Sequence, residues 1–470
     1  MKESKNSTNR MRFFTNIKRS QKYILILLIV ASLAGGGILI YTRKILDDLA
    51  SINSFPKIDI AINQNKSKKP VVYLKLLDDV KTEMITKESD FLEINLSEMK
   101  TRVYKKGLVE KEVSIIKKGN LQEWGGSPTG LYKIMSGNKL SFSIVADVYM
   151  PYALRYYGKY YIHGEPYYPG GEKTQYDISG GCISLADKDA EMIFGLTELN
   201  MPVLVIDKER DSYQYEIKKI DKFPEISAQS YLVADLDSGY VFDEKDSQSQ
   251  FPLASITKLM TALIVVENVD LRKSIFIEKQ MLDAGYGSTE GLEAGQSFRI
   301  VELFYPLLTE SSNDAAEALS YFLGRAKTIK LMNEKAKSIL MENTNFVDPS
   351  GFEPENVSTA RDLFYLARYV FNVRPLIFEI TKGKEVLSFG QVRFDIKELW
   401  NKNIFINDQT FLGGKTGYTK AAKQTALFIF RFLDKDNTER NIVILLLGSD
   451  SIETDAEKIY IWLQNNYFKL

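Results

Sequence analysis

The stretch FPLASITKLMTALIVVEN, residues 251–268, decides the fold of the second half of the chain. Apolar residues with helical spacing predict helices over 301–323, 329–342 and 359–372. Within the quoted stretch the same spacing predicts a helix over residues 255–268. Ser255 opens this helix, and Lys258 follows three residues later on the same helical face. A desolvated lysine has a lowered pKa and can accept the proton of a serine hydroxyl. The stretch therefore predicts a Ser–Lys nucleophile pair at the start of a buried helix.

A serine and a lysine at this spacing form a weak signal when they occur alone. The same spacing recurs at Ser54/Lys57, Ser97/Lys100, Ser114/Lys117 and Ser136/Lys139. Ser255 is distinguished by the spacing of the motifs after it: Ser311-Ser312-Asn313 follows 56 residues later, and Lys415-Thr416-Gly417 follows 104 residues after that. This ordered trio is typical of β-lactamases and penicillin-binding proteins. A solvated surface rich in lysine and serine would account for any one motif, but not for the three in order.

The text around these motifs resembles one family more closely. The segments are FPLASITKLMTA (251–262), NTNFVDPSGF (343–352), NVSTARDLFYLA (356–367) and GGKTGYTKAA (413–422). They resemble the serine D-alanyl-D-alanine carboxypeptidases, which are low-molecular-weight penicillin-binding proteins. The resemblance covers about residues 225–470 and implies an α/β fold with an antiparallel sheet and helices.

The same resemblance implies roles for individual residues. Ser255 would be the nucleophile and Lys258 its base, with the N–H of Ser255 in the oxyanion hole. Ser311 and Asn313 would relay protons and orient the peptide.

The resemblance also implies a substrate-binding role for the third motif, Lys415-Thr416-Gly417. Lys415 and Thr416 would bind the terminal carboxylate of a stem peptide, with Gly417 in the same motif. β-Lactams are expected to acylate the serine as covalent inhibitors.

A second candidate site lies in YYIHGEPYYPGGEKTQYDISGGCISL, residues 160–185, which holds the only histidine and the only cysteine of the chain, His163 and Cys182. A thiolate is a good nucleophile, and histidine is a natural base for it. Gly180 and Gly181 allow close backbone approach, and their N–H groups could hold an oxyanion. Spacing alone leaves a second interpretation open, a buried cysteine and an unrelated, satisfied histidine.

This region resembles the L,D-transpeptidase (YkuD-type) catalytic domain over about residues 91–206. The resemblance rests on His163-Gly164, on Ser179-Gly180-Gly181-Cys182 and on the Pro128-Thr129-Gly130 turn. Between about residues 70 and 206, short alternating runs such as FSIVADVYM (142–150) are also typical of strands and give a β-rich texture. The resemblance implies a mostly-β fold with the cysteine on a loop. Cys182 would be the nucleophile and His163 its base, and Ser179 and Gly181 would bind substrate or the oxyanion.

Composition narrows the function further. The chain has 470 residues, with 61 basic and 61 acidic side chains, so its formal net charge is zero. A balanced charge argues against nucleic acid as the main partner. One cysteine excludes an intrachain disulfide, and one cysteine with one histidine cannot form a Cys/His zinc centre. We expect no metal and no cofactor.

The N-terminus predicts a membrane anchor. A basic segment, residues 1–22, precedes the uncharged run 23–41, which is long enough for one transmembrane helix. The basic flank is expected to stay cytoplasmic, which would place both catalytic domains outside the cell membrane, on the cell-wall side. A cleavable signal peptide, with a small-x-small site at 32–34, is the alternative.

These features predict a multidomain chain, with an N-terminal transmembrane helix, a mostly-β domain and an α/β domain. The predicted boundaries are a cytoplasmic tail at 1–22, a transmembrane helix at 23–41, a stalk at 42–69, an L,D-transpeptidase-like domain at 70–206, a linker at 207–224 and a D,D-carboxypeptidase-like domain at 225–470.

The two resemblances together predict a bifunctional enzyme that acts on peptidoglycan stem peptides. The serine site would trim the terminal D-Ala from pentapeptide stems, and the cysteine site would use the tetrapeptide to form 3→3 crosslinks. Three alternatives stay open. The serine domain could be a β-lactamase, or one domain could be an inactive wall-binding module. The cysteine domain could also exchange D-amino acids, hydrolyse stems or attach proteins, because Ser184 stands where its family often has arginine or asparagine.

Overall fold

The computed structural model describes residues 72–120, 125–144, 146–174, 180–216, 221–284 and 292–468. All of them belong to one compact unit that spans Val71–Leu470.

The fold class needs a correction at its N-terminal end. In the part of the chain that the structure describes, no helix is both long and apolar enough to cross a membrane. The longest helix there, Ile452–Asn466, has 15 residues, whereas a span needs about 20. The predicted transmembrane helix is therefore wrong as a part of this fold, and the membrane contact predicted from it is not supported. The segments 1–22, 23–41 and 42–69 lie outside the described residues.

The first half of the compact unit is built on one nine-stranded sheet, in the order β4-β9-β1-β2-β3-β8-β7-β6-β5. Two pairs, β1 with β9 and β7 with β8, are parallel, and the others are antiparallel. Helices α1 (Leu77–Thr86) and α2 (Asp187–Leu196) accompany the sheet. Its strands are β1 (Phe91–Asn95), β2 (Lys100–Lys105), β3 (Leu108–Lys117), β4 (Gly130–Lys133), β5 (Ser136–Ser143), β6 (Val148–Tyr157), β7 (Tyr160–His163), β8 (Ile183–Leu185) and β9 (Pro202–Ile206).

The β-rich texture of this half is confirmed, with one change. The run FSIVADVYM, residues 142–150, is not one strand but the turn of the β5–β6 hairpin, in which Phe142 pairs with Tyr149. Asp147 takes a φ of 53°, a left-handed conformation that aspartate tolerates and that reverses the chain.

The second half holds a five-stranded antiparallel sheet, in the order β11-β10-β18-β17-β16. Two further sheets have two strands each and pair β12 with β15 and β13 with β14. The strands are β10 (Ser230–Asp235), β11 (Val241–Lys245), β12 (Phe251–Pro252), β13 (Ser274–Phe276), β14 (Ser297–Arg299), β15 (Val357–Ser358), β16 (Phe411–Thr419), β17 (Lys423–Leu433) and β18 (Glu439–Ser449). The helices are α3 (Thr257–Asn268), α4 (Lys279–Asp283), α5 (Ile300–Tyr305), α6 (Asn313–Leu323), α7 (Arg325–Ser338), α8 (Ala360–Val373), α9 (Leu376–Thr381) and α10 (Ile452–Asn466).

Both faces of this sheet are buried, as the alternation along β18 demonstrates. Val443, Leu445 and Leu447 belong to the core that contains the apolar helix α3. Ile444 and Leu446 belong instead to a second core, which contains residues of α10. Because successive side chains of a strand point to opposite faces, a fully apolar strand such as β18 must be covered on both.

The predicted helix over 301–323 is broken in the structure. Helix α5 ends at Tyr305, a π-helical turn follows at Pro306–Glu310, and Ser311 takes a left-handed φ of 66°. Ser312 then caps α6 by accepting a hydrogen bond from the N–H of Ala315 at 3.1 Å. A cap residue of this kind starts a new helix. The break places Ser311 on the turn and Asn313 at the first position of α6, where its side chain reaches Lys258.

Candidate active sites

The turn that carries Ser255 has a strained backbone. Ala254 takes a φ of 48°, in a region that residues with a Cβ rarely adopt. Ser255 lies in a single 3₁₀ turn, Ala254–Ile256, that leads into α3. A Cβ at Gly351 would lie 1.8 Å from the carbonyl oxygen of Ala254, so only glycine fits beside this turn. Strain of this kind at a nucleophile is a common property of active sites.

Lys258 is fully buried, and its ammonium nitrogen lies 2.9 Å from Ser255 Oγ. It also donates to Asn313 Oδ1 at 2.7 Å and to the carbonyl oxygen of Ser350 at 2.8 Å. All three acceptors are neutral oxygens. Burial therefore lowers the pKa of Lys258 to about 7, with the positive charge of Lys402 acting in the same direction. At neutral pH a large fraction of this amine is unprotonated and can act as a base.

The three residues of Ser311-Ser312-Asn313 have different roles in the structure. Ser312 caps α6, Asn313 holds the amine of Lys258, and Ser311 turns the chain between the two helical segments. The hydroxyl oxygen of Ser311 is buried and has no hydrogen-bond partner among the residues that the structure describes. A buried hydroxyl without a partner is costly, so a bound substrate group is a natural partner for it.

Lys415 brings a second buried amine to this domain, from strand β16. Its Nζ donates to the carbonyl oxygen of Thr416 at 2.8 Å. Burial, together with the positive charges of Lys258 and Lys402, holds the pKa of Lys415 well below its usual value. A carboxylate bound beside these lysines would offset the repulsion and favour the protonated form of Lys415.

Strand β16 runs close beside the nucleophile. A Cβ at Gly417 would lie 2.7 Å from the backbone nitrogen of Ser255, and Thr425 Oγ1 donates to the carbonyl of Leu253 at 2.9 Å. The absence of a side chain at Gly417 lets the strand approach the N–H group that an oxyanion would use. Ser255, Lys258, Asn313 and Gly417 of the predicted serine site therefore lie together, and their catalytic roles remain predictions.

The cysteine site lies at the parallel pair β7–β8. Ile162 pairs with Ile183, and His163 pairs with Ser184. Cys182 immediately precedes β8, so the register places its Cα roughly 8 Å from that of His163, given the spacing of strands and of residues along them. The two residues therefore reach the same part of the sheet, and their catalytic pairing remains a prediction.

The ring of His163 is buried, and its Nδ1 lies 2.6 Å from the carbonyl oxygen of Gly164. A carbonyl oxygen can only accept, so Nδ1 carries the proton and Nε2 keeps the basic lone pair. Burial lowers the pKa of His163 to about 4. The imidazole is therefore neutral near pH 7, which is the protonation state that a general base requires.

The thiol of Cys182 is also neutral at rest. Burial raises its pKa to about 11, against smaller opposing effects from the N–H of Tyr161 and the positive charge of Lys159. Its sulfur lies 3.9 Å from the carbonyl oxygen of Lys159. A neutral thiol needs a base to remove its proton during attack.

Gly181 makes a close backbone approach next to the thiol. It has a φ of 115°, and a Cβ there would lie 2.3 Å from the ring of Tyr160. On another side, a Cβ at Gly119 would lie 2.9 Å from the Cα of Gly181. Any larger residue at position 181 would displace the turn that leads into Cys182. Ser179, the remaining predicted residue, lies outside the described residues.

Some residues of these sites were missed by the sequence interpretation. The carbonyl of Ser350 holds Lys258, and Asp348 organises that loop by accepting from the N–H groups of Ser350 and Gly351 at 2.6 and 2.7 Å. The segment NTNFVDPSGF contained this signal, but only as a mark of resemblance. Lys159 and Lys402 had no pattern in the sequence that could have revealed them.

Comparison with known proteins places both regions. Residues 217–444 match the family model of D-alanyl-D-alanine carboxypeptidase, and residues 89–205 match that of the L,D-transpeptidase catalytic domain. A D-alanyl-D-alanine endopeptidase of Haemophilus influenzae is 34% identical over 45% of this chain and 73% of its own length. A D-alanyl-D-alanine carboxypeptidase of Mycobacterium tuberculosis is 31% identical over 43% of this chain and 70% of its own length.

Solved structures match as well. The crystal structure of a D-alanyl-D-alanine carboxypeptidase from Mycobacterium tuberculosis H37Rv is 27% identical, covers 53% of this chain and 95% of its own, and has a TM-score of 0.45. The sequence matches and the two family models identify this chain as a member of the D-alanyl-D-alanine carboxypeptidase family that also carries an L,D-transpeptidase catalytic domain.

Proposed function

We propose that the chain is a bifunctional peptidoglycan-modifying enzyme whose two sites act in series. The serine site removes the terminal D-Ala of a pentapeptide stem, and the cysteine site uses the resulting tetrapeptide to form a 3→3 crosslink. The observation that carries the proposal is the 2.9 Å contact between Ser255 Oγ and a buried Lys258 whose pKa is lowered to about 7. Both reactions take place on the wall side of the cell membrane, where stem peptides are found.

The first step at the serine site is acylation. Lys258 takes the proton of Ser255 as Oγ attacks the carbonyl carbon between the two terminal D-Ala residues. The N–H of Ser255 stabilises the oxyanion, and the electropositive groups around Lys415 hold the terminal carboxylate. The C–N bond then breaks, and the leaving D-Ala amine receives a proton.

The second step at the serine site is hydrolysis. Water attacks the acyl-serine ester, Ser255 recovers its proton, and a tetrapeptide stem is released. A β-lactam would acylate Ser255 in the same way. Its amine stays attached to the acyl group when the ring opens, so it does not leave the site as D-Ala does.

At the cysteine site the same logic applies to the next bond. Nε2 of His163 takes the proton of Cys182 as the sulfur attacks the carbonyl of the third stem residue, a diamino acid. D-Ala leaves with a proton, and a thioester forms. The side-chain amine of a neighbouring stem then attacks the thioester and regenerates the thiol.

The test is mass spectrometry of stem products made by the purified protein. Wild type should convert pentapeptide to tetrapeptide and then to crosslinked dimer. Ser255→Ala should make no tetrapeptide, and Cys182→Ala should stop at tetrapeptide. Tetrapeptide supplied directly should restore crosslinking in Ser255→Ala but not in Cys182→Ala. Normal tetrapeptide production by Ser255→Ala would disprove the serine assignment.

A second candidate for the serine site is cleavage within crosslinked stems. It is favoured by the relative from Haemophilus influenzae, which is named a D-alanyl-D-alanine endopeptidase. The same acylation chemistry would act with a stem amine as the leaving group instead of free D-Ala. Incubation of a 4→3 dimer, which is joined through the carbonyl of a D-Ala, with the Cys182→Ala protein distinguishes the two, because only an endopeptidase would return monomers.

The remaining alternatives have their own outcomes in these assays. Rapid turnover of a penicillin, without a lasting adduct on Ser255, would indicate a β-lactamase. Tetrapeptide converted to tripeptide, or to a stem with a new terminal D-amino acid, would indicate hydrolysis or exchange at Cys182. Binding of stems without any turnover by wild type would indicate a wall-binding module.

A further inference from the structure

A buried ionic cluster joins the two domains. Glu267, at the end of α3, lies 3.0 Å from Lys335 Nζ and 3.0 Å from Arg374 Nη2, and all three side chains are fully buried. Buried charges are tolerated only when they are paired and hydrogen-bonded. Two cations share one carboxylate here, so the cations must also find neutral acceptors.

Arg374 finds those acceptors in the cysteine domain. Its Nη1 donates to the carbonyl oxygen of Gly126 at 2.6 Å, and its Nη2 donates to Tyr160 Oη at 3.1 Å. The N–H of Gly126 donates in turn to the carbonyl of Val373 at 3.3 Å. Arg374 directly follows α8, where the helix dipole favours a cation. The planar guanidinium can hold several acceptors in fixed directions, which lysine cannot.

Both acceptors belong to the wall of the turn that holds Cys182. The ring of Tyr160 is the surface against which Gly181 packs. Gly126 lies against Gly119, which in turn lies against Gly181. The guanidinium of the serine domain therefore fixes two of the groups that surround the residue preceding the thiol.

We propose that Arg374 is a positioning residue for the cysteine site, so that Cys182 is held in its reactive geometry only while the two domains are docked. This inference rests on the proposed function of the cysteine site. It deepens that function by making the serine domain a structural part of the transpeptidase site. Arg374 does not touch the reacting atoms and acts through Gly126 and Tyr160.

Lys335 offers a matched control within the same cluster. It donates to Tyr132 Oη at 2.9 Å and lies over the rings of Tyr157 and Tyr369, at 4.4 and 3.9 Å from their centres. Its recorded contacts include neither Gly126 nor Tyr160. Its loss would leave Arg374 as the partner of Glu267, so the cluster would change without removing the support of the thiol turn.

The experiment compares Arg374→Met, Tyr160→Phe and Lys335→Met in the full chain. The first readout is the rate of Cys182 alkylation by iodoacetamide as a function of pH, which needs no stem substrate. The groups that interact with the thiol are Lys159, the N–H of Tyr161, Tyr156 and Tyr160, and all of them are kept in Arg374→Met. Burial lowers the pKa of Lys159, the positive charge of Arg374 lowers it further, and Arg374→Met removes that second effect. The second readout is crosslinking of tetrapeptide, and acylation of Ser255 by a penicillin reports on the serine domain.

Arg374→Met is expected to slow crosslinking about 10- to 100-fold and to shift the pH profile of alkylation, because a displaced nucleophile loses its alignment. Tyr160→Phe removes one hydrogen bond and should slow crosslinking about fivefold. Lys335→Met should slow crosslinking less than Arg374→Met does, because Arg374 keeps the carbonyl of Gly126 and Tyr160 Oη as acceptors. Penicillin acylation should stay within about twofold in all three, because Ser255 keeps its own contacts.

Two results would overturn the proposal. One is an Arg374→Met protein with the alkylation profile and crosslinking rate of wild type. The other is an equal loss in Arg374→Met and Lys335→Met, which would mean general destabilisation. If Arg374→Met fails to fold, as lost penicillin acylation would indicate, Tyr160→Phe decides. If wild type does not crosslink tetrapeptide at all, the proposed function fails, and the alkylation profiles still decide the role of Arg374.

Discussion

The two sites of this chain bury their key groups with opposite electrostatic results. At the serine site, burial lowers the pKa of Lys258 to about 7 and produces a base that works at neutral pH. At the cysteine site, burial raises the pKa of Cys182 to about 11 and keeps the thiol protonated. Desolvation disfavours the charged form of a group. It therefore favours the neutral amine of a lysine, which is basic, and the neutral thiol of a cysteine, which is a poor nucleophile. In the proposed mechanism, Lys258 is thus ready to act as a base before substrate binds, whereas the thiol relies on the neutral ring of His163.

The largest expected effect comes from removing the amine of Lys258 at the serine site. Lys258→Met keeps the volume of the buried side chain but removes the base, so D-Ala release should fall about 10²- to 10⁴-fold. Alkylation of Cys182 should be unchanged, because that site has its own base. Kinetics of pentapeptide hydrolysis measure the loss. Lys420→Met, at an exposed lysine of the same domain, is the control and should behave as wild type. A drop below tenfold in Lys258→Met would mean that another group accepts the proton.

The next effect concerns what the two sites share. Glu267→Gln leaves Lys335 and Arg374 buried without their carboxylate, and breaking such a pair costs about 3–5 kcal/mol of folding free energy. Denaturant unfolding measures the change. Glu334→Gln removes an exposed partner of Lys330 and should cost no more than about 1 kcal/mol. Equal stability of the two variants would mean that the cluster contributes no more than a surface ion pair.

A third prediction separates the sites by their backbones. Gly351→Ala would push against the Ala254 turn, and Gly181→Ala would push against Tyr160, and both glycines have a positive φ. Each substitution should slow its own reaction roughly 10- to 100-fold, given the cost of a strained backbone, and leave the other reaction unchanged. Gly195→Ala, where a Cβ meets open space, is the control. Parallel losses at both sites in either variant would contradict independent local effects.

The last prediction compares how the reactions of the two sites depend on pH. The kcat/KM of D-Ala release should rise about tenfold per unit below pH 7 and level off above it, because only unprotonated Lys258 is a base. Alkylation of Cys182 in the free protein should keep rising toward pH 11, because only the thiolate reacts. His163, whose pKa is about 4, stays neutral throughout this range. Profiles with the same midpoint at both sites would refute the opposite effects of burial.

Much of the fold was open to prediction from periodicity. The apolar helix after Ser255 and the β-rich texture of the first half both follow from local spacing, and both are confirmed. The break at Ser311 was missed because the apolar pattern continues through it, although Pro306 cannot donate and Ser312 is a strong cap. The turn at Asp147 was missed because its flanking residues are apolar enough for one strand.

The sequence by itself predicted the candidate chemistry of this protein. Helical spacing and the ordered motifs predicted the serine–lysine pair, and the family resemblance favoured the histidine–cysteine pair, which spacing alone left open. Only the tertiary structure decided the pKa values of those groups and the contacts that hold them in place. The contacts of Lys258 with Ser350 and of Arg374 with Gly126 join residues 92 and 248 positions apart. Local spacing fixes which residues share a helical face, whereas pKa and support depend on burial by distant parts of the chain.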